Sequence, residues 1–208
     1  MSMVTVNGYK AMHSVHTCMT SNSVTTKVAG VILCGGRSSR MGVDKSELLL
    51  NGKTLLNHMQ LQLQQAGINK VITAGKGDMP DLVPERGPLG SLHTALNHLQ
   101  ANYTHLVVVP VDMPLLTVEL LQTLVNCKND AEATHYYAQI MPLKISTTDN
   151  VVRIVSNLLS QDDTRKRSIK ELLFQLRLAM LPITEHEHSL FDNTNTPDDW
   201  QRVTGMSL

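Results

Sequence analysis

Between Cys34 and Lys45 the chain reads Cys34-Gly35-Gly36-Arg37-Ser38-Ser39-Arg40-Met41-Gly42-Val43-Asp44-Lys45, with no acid before Asp44. Adjacent glycines let backbone amides approach a ligand without obstruction by Cβ, and successive amides in such a turn form a nest for anions. Arg37, Arg40 and Lys45 add positive charge, and Ser38 and Ser39 add hydroxyl donors. The ligand this composition suits is a phosphate group. Two familiar phosphate loops do not fit: the Walker spacing is broken because Met41, not Gly, follows Gly36 at the required distance, and Gly35-Gly36 lacks the GxGxxG spacing. A second candidate is Asp112 in Pro110-Val111-Asp112-Met113-Pro114. Mg²⁺ is held by one or two carboxylates, with water and phosphate filling its other positions, so a single Asp beside a phosphate loop is a metal candidate. Asn193 and Asn195 offer amides that both donate and accept.

The elements that must position these groups alternate between strand and helix. Val28 to Leu33 is a short apolar run closed by Gly35-Gly36, as expected of a buried parallel strand. Leu55, Leu56, Met59, Leu63 and Ala66 repeat at helical spacing before Gly67, and Val71 to Ala74 reads as the next strand. Leu92, Ala95, Leu96 and Leu99 form a helical stripe. His105 to Val111 is a strand with Pro110 at its end, and Thr117 is placed to cap a helix reaching Val125. Tyr136 to Ser146 is expected to hold two short strands around Pro142, and Val151 to Leu159 an amphipathic helix. Ser168 to Glu171 has the capping-box pattern, with Leu172, Leu173, Leu176 and Leu178 as the apolar positions that follow. Thr196-Pro197-Asp198-Asp199 opens the last helix. This alternation predicts an α/β three-layer sandwich, a mostly parallel twisted sheet with helices on both faces. Ligands then gather at the carboxyl ends of the strands.

Composition narrows the partners. The 208 residues are 42% hydrophobic and 17% charged, enough apolar material for a sizeable core. Lys+Arg 18 against Asp+Glu 18 leaves no net charge, and aromatics are only 3%, so neither a basic footprint nor a stacking surface for nucleic acid is present. No apolar stretch is long enough for a bilayer. Cys18, Cys34 and Cys127 are odd in number and form no CxxC pair, which fits reduced thiols and a cytoplasmic location. Residues 1–27 are Ser/Thr-rich without an acid and read as a disordered tail, with Met12 or Met19 as alternative starts; residues 28–208 read as one domain. His186-Glu187-His188 has no metal-ligand spacing and is expected to be a surface turn before a strand at Leu190-Phe191.

Leu33 to Lys45 resembles the LAGGxSxRMGxDK signature of the molybdenum cofactor guanylyltransferases, within the nucleotide-diphospho-sugar-transferase-like superfamily. The resemblance continues in order through Gly87-Pro88-Leu89-Gly90 (GPLxG), Pro110 to Pro114 (PxDxP) and Phe191 to Asp198 (FxNxNTPE). It implies transfer of GMP from GTP to the phosphate of molybdopterin, with release of pyrophosphate and Mg²⁺ as cofactor. Lys45 and Arg40 would contact the triphosphate, and Asp112 would hold the metal. Leu33, Cys34, Gly35 and Gly36 would face the guanine and phosphates, Asp81 the nucleotide, and Asn193 and Asn195 the pterin. The family has Ala where Cys34 stands. Its next strand end supplies an Asn to the nucleotide where this chain has Ala74, which leaves Lys76 to compensate. Arg165-Lys166-Arg167 with Lys170 is a candidate attractor for the anionic acceptor, or a solvated helix start. Contacts with a molybdoenzyme or chaperone would follow downstream; nucleic acid and membrane are not expected partners. Cytidylyl transfer, transfer to a sugar phosphate, or nucleotide binding without turnover are the competing expectations.

Overall fold

The computed structural model describes residues 26–34, 44–76 and 78–205. In chain order the elements are β1 (Val28–Leu33), β2 (Leu49–Leu50), β3 (Lys53–Thr54), α1 (Leu55–Gln65), β4 (Val71–Ala74), α2 (Gly87–Leu99), β5 (His105–Pro110) and α3 (Val118–Asn126). There follow β6 (Ala133–Tyr136), β7 (Leu143–Ser146), α4 (Asp149–Leu159), α5 (Ile169–Leu173), β8 (Leu178–Leu181) and α6 (Pro197–Thr204). The expected tail lies outside the described residues as far as Thr25.

Six strands form one sheet in the order β4-β1-β5-β7-β6-β8. All pairings are parallel except those of β7, which runs antiparallel to both β5 and β6. The period-2 geometry of strands sorts their side chains to two cores. Ala29, Val31 and Leu33 of β1 with Leu106 and Val108 of β5 pack under α2, α4 and α5. Ile32, Val107 and Val109 point the other way, toward α1, α3 and the fully buried Trp200 of α6. Both faces are therefore covered, which is why β1 and β5 read as continuous apolar runs rather than alternating ones. The three-layer sandwich expected from the sequence is the observed architecture.

The helix starts follow their capping residues. Hydroxyl oxygens of Thr54, Thr117, Ser168 and Thr196 accept from the amides of Asn57, Leu120, Glu171 and Asp199. Asp199 returns the favour by accepting from the Thr196 amide, and Gly205 ends α6 at φ 69°. Some expectations need correction. The first of the two strands around Pro142 ends at Tyr136 instead of beginning there. α5 stops at Leu173, so Leu176 reaches the core from a loop and Leu178 starts β8. Leu190-Phe191 is no strand but the end of a 3₁₀ turn, Glu185–Phe191, that carries His186-Glu187-His188 on the surface. The hairpin β2–β3 was not expected, although Asn51-Gly52 carries its signal: both residues have positive φ, 51° and 78°, as a type I′ turn demands.

His105, at the start of β5, is held neutral. Burial and the nearby Lys144 charge push its pKa down to about 4. Between that value and the ordinary 6.5 the unfolded chain binds a proton that the folded chain refuses, so acidification through this window favours unfolding. The expected result is a denaturation midpoint that falls from pH 6.5 to pH 4, with the fall reduced in His105→Gln. Urea titrations across that range would check it.

Candidate functional site

β1 lies between β4 and β5, where the strand order reverses, and register aligns Leu33 with Ala74 on one side and Pro110 on the other. The next residues of all three strands therefore emerge at one carboxyl edge, the position where open α/β sheets bind ligands. Two hydrogen bonds fasten this edge: the Cys34 amide donates to the Ala74 carbonyl at 2.9 Å, and the Val111 amide to the Leu33 carbonyl at 3.2 Å. The Leu33 carbonyl and Cys34 amide thus already serve the sheet. Gly35, Gly36 and Arg40 lie outside the described residues.

At this edge Lys45 and Asp112 meet. The Lys45 ammonium donates to Asp112 Oδ2 at 2.8 Å and to Asn195 Oδ1 at 2.8 Å, joining residues 67 and 150 positions apart in sequence. The lysine and aspartate side chains are only 15% and 18% exposed, so the pair is shielded from bulk solvent but still reachable. Each partner is set by its own element. Lys45 opens a 3₁₀ turn, Lys45–Glu47, capped by Asp44, whose Oδ1 accepts from the Ser46 amide and hydroxyl. Asp112 stands two residues beyond the end of β5. Thr194, fully buried, donates its amide to the Asp112 carbonyl at 2.9 Å and its hydroxyl to the same oxygen at 3.3 Å, which docks the loop before α6 onto the end of β5. Asp199 then accepts from the Asn195 amide, and Arg202 spans Asp192 and Asp199. The capping box of α6 is thus also the frame that aims Asn195.

The charges at this edge are unevenly shared. Burial alone would raise the Asp44 carboxyl, but hydrogen bonds from Lys76 and Ser46 together with the Lys76 charge outweigh it and hold it below the usual carboxylate range. Cys34 shows the opposite balance. Burial, reinforced by Asp44 and Asp112, pushes its thiol up to about 12 against the pull of Lys76. Cys34 is therefore a neutral thiol at physiological pH, a small apolar side chain with no nucleophilic role. Because the folded chain holds this proton more tightly than the unfolded chain, alkaline pH between about 9 and about 12 erodes stability. Iodoacetamide at pH 8 is expected to leave Cys34 unmodified in the folded protein and to alkylate it in urea. Mass mapping of the peptides would check this.

Other candidates fall in different places. Asp81 lies over the first turn of α2, where a Cβ added to Gly90 would stand 3.7 Å from its Oδ2. Leu82 is tied to the helix through its amide donating to the Thr94 hydroxyl. The buried Oδ1 of Asp81 has no hydrogen-bond partner among the described residues, an arrangement that native interiors rarely leave unused. Asn193 is exposed beside the buried Thr194. Arg165 folds back on Asp163 and Arg167 donates to the Gln161 carbonyl, so these two bases serve their own turn. Asp44, Lys76, Thr194, Asp199 and Arg202 were not singled out as site residues by sequence, apart from the compensating role considered for Lys76. Asp44 and Thr194 stand inside the motif blocks at Leu33 to Lys45 and Phe191 to Asp198, and Asp199 inside the capping pattern that starts at Thr196; Arg202 carries no signal of its own.

The family model described as MobA-like NTP transferase domain matches residues 30–175. The chain belongs to this family. A molybdenum cofactor guanylyltransferase of Xanthomonas euvesicatoria pv. vesicatoria is 38% identical over 178 residues, covering 84% of this chain and 93% of that protein. Among solved structures, Rv0371c from Mycobacterium tuberculosis H37Rv superposes with a TM-score of 0.69 at 22% identity, over 87% of this chain and 100% of its own. That protein is also known in complex with manganese. Molybdopterin-guanine dinucleotide biosynthesis protein A from Archaeoglobus fulgidus superposes with a TM-score of 0.61 at 22% identity, over 85% of this chain and 97% of its own. The structural likenesses show that the fold is shared. The matched model stops before Asn195; the loop that brings Asn195 to Lys45 lies beyond it.

Proposed function

We propose that this MobA-like chain transfers GMP from GTP to the phosphate of molybdopterin in molybdenum cofactor, releasing pyrophosphate, with residues 28–208 acting as one nucleotidyltransferase domain. The observation that carries the reading is the convergence of Lys45, Asp112 and Asn195 at the carboxyl edge. The similarity to the Xanthomonas guanylyltransferase supports the choice of nucleotide and acceptor.

The nucleophile in this reaction is a phosphate monoester, already anionic at neutral pH, so no relay of hydroxyl and imidazole is needed. The obstacle is the approach of two anions in line. Lys45 meets it by exchanging its contact with Asp112 for phosphate oxygens and by stabilising charge on the departing pyrophosphate. Arg40, in the same loop sequence, is assigned the same task. Asp112 would hold the divalent ion, Mg²⁺ in this reading. Its Oδ2 and Asn195 Oδ1 already share one positive charge, the Lys45 ammonium, and hard oxygen donors of this kind suit Mg²⁺. When bound, the ion supplies neutralisation of phosphate charge. Leu33, Cys34, Gly35 and Gly36 are assigned to the base and phosphates, and Asp81 to the nucleotide. Asn193 and Asn195 are assigned to the pterin. Contact with a molybdoenzyme or chaperone belongs to the fate of the product.

No helix among the described residues is long and apolar enough to cross a membrane, and Cys34 and Cys127 are free thiols, in keeping with a cytoplasmic site of action. Pyrophosphate release in the presence of molybdenum cofactor and Mg²⁺, with GTP, CTP and ATP in competition, tests the reading. GTP preference is expected. A clear preference for CTP would move the chain to the cytidylyl reaction, and GTP binding without pyrophosphate release would make it a binding protein.

A further inference from the structure

β4 ends at Ala74, which has no polar side chain to give to the edge beside β1. Two residues later Lys76 has one. Gly75, at φ 88°, turns the chain there, and the turn is pinned: its amide donates to the Met79 carbonyl, the Met79 amide to the Thr73 carbonyl, and the Thr73 amide to Asp78 Oδ2. From this pinned turn the Lys76 ammonium reaches across to Asp44 Oδ2 at 2.5 Å. The other oxygen, Oδ1, accepts from the Ser46 amide at 3.1 Å and the Ser46 hydroxyl at 2.8 Å. Asp44 and Ser46 flank Lys45 in sequence. The Asp44 carboxylate therefore grips Ser46, across Lys45, with one oxygen and is anchored to the β4 loop with the other.

We propose that Lys76 is a positioning residue that acts through Asp44 to hold the Lys45 ammonium between Asp112 and Asn195. The alternative use of Lys76, direct contact with nucleotide phosphate in place of the missing amide at Ala74, makes a different prediction for the same variants. A positioning residue changes Lys45 before any ligand arrives and lowers kcat. A phosphate contact leaves the ligand-free Lys45 as it is and raises KM for GTP. The inference rests on the guanylyl-transfer reading for its kinetic arm alone.

The test is the rate at which Lys45 is acetylated by dilute acetic anhydride in the ligand-free protein, read by mass spectrometry, for wild type, Lys76→Ala, Lys76→Arg and Asp44→Asn. Because Lys76 is 48% exposed, the substitutions at this position are made where the fold does not depend on burial, and circular dichroism confirms folding of each variant. Lys76→Ala and Asp44→Asn are each expected to speed labelling of Lys45 by about 5-fold, the scale at which a half-exposed ion pair acts. Their combination adds little, because both remove the same link, and Lys76→Arg restores the wild-type rate. In turnover, kcat falls by a similar factor in Lys76→Ala while KM for GTP changes less than 2-fold, roughly the error of such measurements. Unchanged Lys45 labelling in both single variants overturns the inference, whatever the kinetics. A raised KM for GTP with unchanged labelling does so in favour of direct phosphate contact. Absence of guanylyl transfer by the wild type would defeat the proposed reaction and leave the labelling result standing.

Discussion

Replacing Lys45 by Met is expected to lower kcat/KM for GTP by roughly 10³-fold, the largest effect of any single change outside the metal site. Removing one preorganised donor from a charge-stabilising site typically costs 10²–10³ in kcat; this donor also holds two other groups together. Its ammonium is the point at which Asp112 and Asn195 converge, both at 2.8 Å, so its loss frees the loop before α6 from the turn after β1. Lys45→Arg should recover little, since a planar fork does not replace a compact point charge between two oxygens already in place. The fold should survive either change. The turn holding residue 45 is secured by Asp44 and Ser46, not by the lysine side chain. Steady-state pyrophosphate release with matched melting curves checks both halves of this expectation.

Asp112→Asn is expected to abolish metal-dependent turnover, a loss of at least about 10³-fold that excess Mg²⁺ does not repair. The variant is informative because its structural consequences are small. The two bonds from Thr194 end on the main-chain carbonyl of residue 112, and the Asn amide keeps an oxygen for Lys45. What disappears is the negative charge. An account in which Asp112 merely caps the segment before α3 predicts near-normal turnover instead. Titration of activity against Mg²⁺ and Mn²⁺ in wild type and variant separates these outcomes.

Much of the fold could be read from the sequence because the central strands are buried on both faces and every helix but α2 opens on a Ser or Thr. β1 and β5 announce themselves as continuous apolar runs. The weaker parts lie where local signals conflict with tertiary pairing. β8 alternates exposed and half-buried residues at the sheet edge, so Leu178 reads equally well as the tail of α5. Leu190-Phe191 reads as a strand because two apolar residues follow a polar turn, yet Phe191 is buried from a 3₁₀ turn, packed against the Tyr136 ring at a centroid distance of 5.1 Å. In the site, Lys45 and Asp112 were legible since each belongs to a motif in the segment that follows a strand, β1 for Lys45 and β5 for Asp112. The roles of Thr194 and of the Lys76–Asp44 contact were not. Their importance comes from hydrogen bonds across 82 and 32 residues, which no local spacing encodes. Asn195 was legible as a polar candidate, but its pairing with Lys45 depends on where α6 docks.

Anomalous diffraction from crystals soaked with GTP and Mn²⁺ bears most directly on the claim that a lysine and a metal-bearing aspartate at one sheet edge relieve the repulsion between two phosphorylated reactants. The account predicts an anomalous peak at the Asp112 carboxylate and the Lys45 ammonium shifted onto a phosphate oxygen of the bound triphosphate. A peak elsewhere, with Lys45 still bound to Asp112 and the triphosphate out of its reach, would contradict it.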